Sequence, residues 1–207
     1  MNITNEDNME LMSRYKDNYF DLAIVDPPYG YGDKKTDILN FRQTEQHREW
    51  NIAPTEEYFK ELFRVSKNQI IWGGNYFPFV WNFGGRCFIY WHKGNPVPNF
   101  ADGELAWTSF NKNAKQFDYR YYGNLEGNTS SSKKFHPTQK PVKLYEWLLM
   151  NFAKEGDKIL DTHLGGGSIA IACHNLGYDL TACELDEEYF KAAMKRIERH
   201  KQQLTMF

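Results

Sequence analysis

A mostly parallel, doubly wound α/β sheet with an antiparallel edge strand is the fold this sequence predicts, and three observations predict it. Short apolar runs at Asp21-Leu-Ala-Ile-Val25, Gln69-Ile-Ile-Trp72, Lys158-Ile-Leu-Asp161 and Asp179-Leu-Thr-Ala-Cys-Glu184 have the character of strands buried in a sheet. Amphipathic or small-residue helical stretches lie between them. The succession strand, helix, strand, helix in the C-terminal part indicates parallel pairing with both sheet faces covered. At 207 residues the chain is long enough for one substantial core and too short for two ordinary domains, so 1–207 is expected to be one unit.

In chain order, Met1 to Asn5 is expected as an initial strand and Asn8 to Tyr15 as one short helix. The Asp21 run is halted by two prolines, and the second restricts the first to extended geometry. Asp33 to Asn51 are polar and unpatterned, which suggests a mobile loop beside that strand end. Thr55 is placed to cap a helix with Glu56 and Glu57 in its first turn and Tyr58, Leu62 and Val65 along one face. Gln69 to Trp72 is a strand closed by Gly73-Gly74, and Cys87-Phe-Ile-Tyr-Trp91 is expected to pair with Glu104-Leu-Ala-Trp107. Asn124 to Ser132 has the composition of a flexible link. Pro141 suits a first helical position, with Tyr145, Leu148, Leu149 and Phe152 on the same stripe. Ser168 to Asn175 is a small-residue helix stopped by Gly177, and Asp186 caps a final helix carrying Phe190, Ala193, Met194 and Ile197.

No apolar run approaches the roughly 20 residues that cross a bilayer. Cys87, Cys173 and Cys183 have no metal-type spacing, so no metal is expected, and a reducing cytoplasm fits them best. The net charge of −2 gives no global sign of a polyanionic partner. Its distribution does, because Lys112, Lys115, Arg120, Lys133, Lys134, Lys140 and Lys143 face only Asp118 and Glu126 between 111 and 143. That stretch can hold phosphates, or it can be a solvated lysine-rich loop.

Two motifs carry chemistry. Asp161-Thr-His-Leu-Gly-Gly-Gly-Ser168 joins a strand to a helix, where Gly165 and Gly167 let backbone approach a ligand and the helix beginning at Ser168 offers free N–H groups. Glu184 ends the next strand, in the place where a carboxylate accepts bonds from ribose hydroxyls. An adenosine-type cofactor follows, and since Gly165, Gly167 and Ala170 also match the dinucleotide fingerprint, a nicotinamide enzyme stays open at this point. The second motif, Asp26-Pro27-Pro28-Tyr29, sets an acid and an aromatic around two rigid prolines at the carboxyl end of a buried strand.

With that tetrapeptide the chain resembles the amino-group (adenine-N6/cytosine-N4) DNA methyltransferases, in the permuted class that places the catalytic motif before the cofactor glycines. Trp72-Gly-Gly-Asn75, His136-Pro-Thr-Gln-Lys-Pro141 and Glu184-Leu-Asp-Glu-Glu-Tyr189 add to the resemblance, which runs from Asn5-Glu-Asp7 to the last helix. It implies a Rossmann-like fold and S-adenosyl-L-methionine as cofactor. It implies transfer to a flipped-out base in double-stranded DNA, with adenine N6 favoured over cytosine N4 because an aspartate stands at position 26. Asp26, Pro27, Pro28 and Tyr29 take the catalytic role, with Tyr29 stacking on the base. Asp7, Asp26, His136, Thr138, Lys140, Asp161, His163, Gly165, Gly167, Ser168 and Glu184 are the implied cofactor contacts. Asp7 equally suits a helix cap, and His136, Thr138 and Lys140 equally suit capping or phosphate contacts.

His163 departs from the phenylalanine usual in the family, and Thr162 replaces a usual proline. Target recognition is expected in a small insert at about 92–135, with Lys112, Lys115, Arg120, Lys133 and Lys134 against DNA. There Trp107, Phe110, Phe117, Tyr119, Tyr121 and Tyr122 serve either bases or a core. So short an insert suits recognition of a few base pairs, or a homodimer. RNA or a protein amide as methyl acceptor, and an inactive nucleic-acid-binding module, remain the other readings.

Overall fold

In a computed structural model, residues 1–30, 52–94, 101–122, 125–126, 129–130 and 139–204 are described. The expected loop at Asp33 to Asn51 lies outside them, as do Lys133, Lys134, His136 and Thr138. In chain order the elements are β1 (Asn2–Asn5), α1 (Asn8–Ser13), β2 (Leu22–Val25), α2 (Glu56–Val65) and β3 (Gln69–Trp72). A 3-10 turn at Gly74–Tyr76 leads into the short α3 (Pro78–Trp81), which the sequence did not announce. Then follow β4 (Phe88–His92), β5 (Gly103–Thr108), β6 (Lys115–Asp118), β7 (Tyr121–Tyr122), β8 (Leu125–Glu126) and β9 (Thr129–Ser130). The chain continues with α4 (Val142–Phe152), β10 (Lys158–Asp161), α5 (Ser168–Leu176), β11 (Asp179–Glu184) and α6 (Glu187–Leu204).

Eight strands form one sheet in the order β1-β11-β10-β2-β3-β5-β4-β6. Every neighbouring pair is parallel except those made by β5, which runs against β3 and β4. The reversed strand therefore lies inside the sheet, not at its edge as the sequence suggested. Residues 103–118, expected within an insert, supply β5 and β6 of this same sheet, while β7-β8-β9 form a separate three-stranded one. The described residues between 124 and 132 are thus paired strand and not the free link their composition suggests.

Alternation along the central strands explains why their sequences are apolar throughout. Leu22, Ile24, Ile70, Trp72 and Ile159 point into a core shared with α4, α5 and α6. Ala23, Val25, Ile71 and Leu160 point the other way, into a core with α1, α2 and α3. A strand covered on both faces has no polar side to show.

Helix ends follow the sequence closely. Asp7 caps α1, its Oδ1 accepting from the N–H groups of Met9 at 2.8 Å and Glu10 at 3.2 Å. Asp186 caps α6 through the Tyr189 N–H at 2.9 Å. Thr55 sits at the N-cap of α2 without a side-chain bond to the helix N–H groups, and Pro141 precedes the first turn of α4 rather than forming it. Gly177 ends α5 at φ +76°, a left-handed conformation that costs other residues strain. Among the described residues no helix is long and apolar enough to cross a membrane.

Ile24 is fully buried at the centre of the sheet. Ile24→Ala is expected to lower the unfolding free energy by about 2–5 kcal/mol in urea titration, with an unchanged m-value.

Candidate active site

The topology puts two loops side by side. β10 and β2 are neighbours, yet the chain leaves β10 through α5 toward β11 and leaves β2 through α2 toward β3, on the other side. At such a reversal the carboxyl ends of the two strands open a crevice. Asp26 directly follows β2, the glycine turn directly follows β10, and Glu184 is the last residue of β11.

Pro27 and Pro28 have no N–H, so the chain leaves the ladder at once after Val25. Asp26 keeps a side-chain exposure of only 14%. Its Oδ1 accepts from the Tyr29 hydroxyl at 2.8 Å, and its Oδ2 accepts from the Lys140 ammonium. Lys140, 3% exposed, also stands 3.4 Å from Tyr29 Oη, 3.1 Å from Glu104 Oε2 and 5.3 Å above the Trp72 ring. Burial pushes the Asp26 carboxyl up, with Lys140 pulling against it, whereas the Lys140 and Lys93 ammoniums overcome burial at Glu104 and hold it at about 2.

Tyr29 is seated by a missing side chain. A Cβ on Gly73 would lie 2.1 Å from Tyr29 Cε1, and Gly73 itself stands at φ +67°. The Tyr29 ring stacks on Tyr76 with centroids 5.2 Å apart.

Around the glycine turn, the Gly165 N–H donates to Glu184 Oε2 at 2.8 Å and the Asp186 N–H to Oε1 at 3.1 Å. Gly167 caps α5 at φ +70°, and no side chain caps that helix. Ser168 Oγ donates to the Lys140 carbonyl at 2.6 Å and accepts from Arg196 Nη1 at 2.9 Å. Lys140 therefore joins the two loops, its side chain on Asp26 and its backbone on the first residue of α5. Asp161 is buried and accepts the His163 N–H at 3.0 Å. Burial first, then the Asp26 and Glu184 charges, raise its carboxyl to about 8.

The residues that depart from the family pattern form a polar chain. Tyr58 Oη meets Thr162 Oγ1 at 2.6 Å, Thr162 Oγ1 meets His163 Nδ1 at 2.9 Å, and His163 Nε2 meets Asn8 Nδ2 at 3.3 Å. Burial lowers the imidazole to about 4, so the ring is neutral at physiological pH.

Asp26, Tyr29, Lys140, Asp161, His163, Gly165, Gly167, Ser168 and Glu184 thus gather at one crevice. Asp7 is engaged as the α1 cap. Lys112, Lys115 and Arg120 do not join them: they are exposed, and β6 lies four strand spacings from β2, about 19 Å. Trp107 and Tyr121 are core residues, and Phe110, Phe117 and Tyr119 pack against the core, so the structural reading of that aromatic stretch is the observed one for them.

Three contributors went unremarked in the sequence: Glu104, Lys93 and Gln139. A carboxylate inside the apolar run Glu104-Leu-Ala-Trp107 was a usable signal, because a charge there needs a buried partner. Gln139 gives Nε2 to Tyr121 Oη at 3.1 Å, while its buried Oε1 has no hydrogen-bond partner among the described residues and packs against Gly166. An open acceptor at Gln139, the carboxylate of Glu184 and an uncapped helix start together fit a nucleoside with an ammonium-bearing tail.

Comparison with known proteins finds similarity at the level of sequence family and fold. The fold is Rossmann-like, with the crevice at the point where its strand order reverses. The DNA methylase family model, N6_N4_Mtase, matches residues 104–195. The type II methyltransferase M2.DpnII of Streptococcus pneumoniae is 23% identical, over 96% of this chain and 90% of its own. M.HpaI of Haemophilus parainfluenzae is 26% identical, over 92% of this chain and 72% of its own. The family match and these relatives support the amino-methyltransferase family for the chain.

Among solved structures, the M1.HpyAVI–SAM complex superposes with a TM-score of 0.61 at 23% identity, covering 94% of this chain and 98% of that one. The cytosine-N4-specific PvuII DNA methyltransferase gives 0.60 at 15% identity, covering 97% and 89%. At such identities these two likenesses speak for the fold alone.

The Asp161 carboxyl generates a pH prediction. Its value in the fold, about 8, lies above the ordinary 3.8, so the folded state binds more protons and stability falls as pH rises from about 4 to about 8. Urea denaturation of wild type and Asp161→Asn at pH 5 and pH 8 is expected to show wild type losing stability relative to the variant.

Proposed function

We propose that this protein transfers a methyl group from S-adenosylmethionine to the exocyclic amine of a base in double-stranded DNA, with adenine N6 as the target. The observation that carries the reading is the Asp26 carboxylate, paired with Lys140 and lying beside the glycine turn in a single crevice. Names of relatives support it, since M2.DpnII and M.HpaI are type II methyltransferases and the matched family is that of DNA methylases.

An exocyclic amine is a poor nucleophile because its lone pair is delocalised into the ring. If Asp26 and the Pro27 carbonyl accept its two protons, the nitrogen moves toward tetrahedral geometry and its lone pair is aimed rather than shared. Prolines at 27 and 28 donate no N–H that would compete for those acceptors. Asp26 is also placed to take the proton that the methylated nitrogen sheds. When bound, S-adenosylmethionine supplies a methyl carbon activated by a positive sulfur. Glu184 is assigned to the ribose hydroxyls, and Gly165, Gly167, Ser168 and Gln139 to the amino-acid end. Tyr29, held on Gly73, offers its ring to a base rotated out of the duplex, offsetting part of an unstacking cost of a few kcal/mol. His136, Thr138, Lys133 and Lys134 keep their assigned cofactor and phosphate contacts within this proposal.

The preference for adenine rests on the aspartate at 26, while a cytosine-N4 enzyme shares the fold. Duplex DNA incubated with protein and methyl-labelled cofactor, then digested to nucleosides, is expected to yield label in N6-methyldeoxyadenosine. Label in N4-methyldeoxycytidine overturns the adenine assignment, and label passing only to RNA or protein overturns the DNA assignment. In the same assay Asp26→Ala is expected to lower transfer at least about a hundredfold while calorimetry shows the cofactor still bound. Undiminished transfer in that variant removes Asp26 from the reaction.

A further inference from the structure

Methyl transfer as described uses one carboxylate, yet two are packed against Lys140. Glu104 on β5 has no part in gripping the amine, and a carboxylate drawn into a sheet is costly unless its charges are matched. Its Oε1 takes the Lys93 ammonium, which itself lies 4.8 Å from the Trp91 ring centre. Its Oε2 stands 3.1 Å from Lys140 Nζ as an ion pair that falls short of an aligned hydrogen bond, and it has no other hydrogen-bond partner among the described residues. Four charges of alternating sign, Asp26, Lys140, Glu104 and Lys93, thus stand in a row, and among the described residues Glu104 Oε2 lacks an aligned donor.

That open acceptor matters because both oxygens of Asp26 already have a donor, Tyr29 Oη on one and Lys140 Nζ on the other. An amine arriving at Asp26 has to displace or share with one of them. A buried ammonium pushed off its carboxylate needs another partner at once.

Resting on the reading of the site given above, we propose that Glu104 is a positioning residue that receives the Lys140 ammonium when the target amine takes its place on Asp26. Lys93 keeps Glu104 ionised and fixed for this. Lys140 stays neutralised throughout, and no bond other than hydrogen bonds is made or broken.

Glu104→Gln keeps the shape and removes the charge. Lys140 then stays on Asp26, and kcat for methyl transfer is expected to fall at least about tenfold with KM for DNA nearly unchanged, while Glu104→Asp recovers part of the loss. The groups facing Asp26 are Tyr29 from its own loop, Lys140 and Tyr145 at the start of α4, Glu104 from β5 and Asp161 from β10. Of these only the Glu104 charge is altered, and its loss favours the ionised Asp26. The acid limb of the kcat profile is therefore expected about one pH unit lower in Glu104→Gln. The same lowering is expected for the Asp26 carboxyl followed by 13C NMR in the cofactor-free protein, where turnover plays no part.

An unmoved Asp26 titration, or an unmoved acid limb with full kcat, overturns the inference while leaving the methyltransferase reading intact. Failure of the wild type itself to methylate DNA overturns that reading and this inference together.

Discussion

A buried ammonium has to be matched by nearby negative charge, and Lys140 is matched twice, by Asp26 and by Glu104. Taking such a charge out of water costs several kcal/mol, which only well-placed carboxylates and hydrogen bonds return. The return ties together pieces far apart in sequence: the loop after β2, strand β5 and the segment entering α4. The Lys140 carbonyl adds the start of α5 through Ser168. Without this residue the crevice would hold two facing carboxylates and no link from the tetrapeptide to the glycine turn.

The sheet makes that convergence possible. Because β10 and β2 send their helices to opposite sides, the loops at their carboxyl ends diverge and leave room for a ligand. Two apolar cores, one per face, fix the strands that set the loops' separation. Glycine then serves both loops: Gly73 admits the Tyr29 ring where a Cβ would collide, and Gly165, at φ +51°, gives its N–H to Glu184. Position and charge in the crevice are thus consequences of topology first and of individual side chains second.

Much of this was legible in the sequence because it is local. Apolar runs, the Asp7 and Asp186 caps, the Gly177 stop and the two motifs depend on neighbours within a few residues. The partners of Lys140 are not local. Asp26 lies 114 positions away, and nothing in a linear pattern says that Glu104 and Lys140 share a pocket. For the same reason β5 could be expected as a strand next to β4 but not as an interior strand, since its other neighbour, β3, is set by tertiary packing. The aromatic stretch from Trp107 to Tyr121 left two readings open, as interleaved rings and lysines suit a DNA surface and a half-buried sheet equally, and here the described rings pack.

The most direct test of the account is the unfolding free energy of Lys140→Met against pH, compared with wild type. An apolar side chain of similar length leaves Asp26 facing Glu104 with no ammonium between them, Asp26 keeping only the Tyr29 hydroxyl and Glu104 only Lys93, and both are then penalised as long as they are ionised. The account predicts a loss of about 3–5 kcal/mol near pH 8 that shrinks as the pH falls and the stranded carboxylates take up protons. A variant as stable as wild type at pH 8, or one whose deficit is the same at every pH, would contradict it.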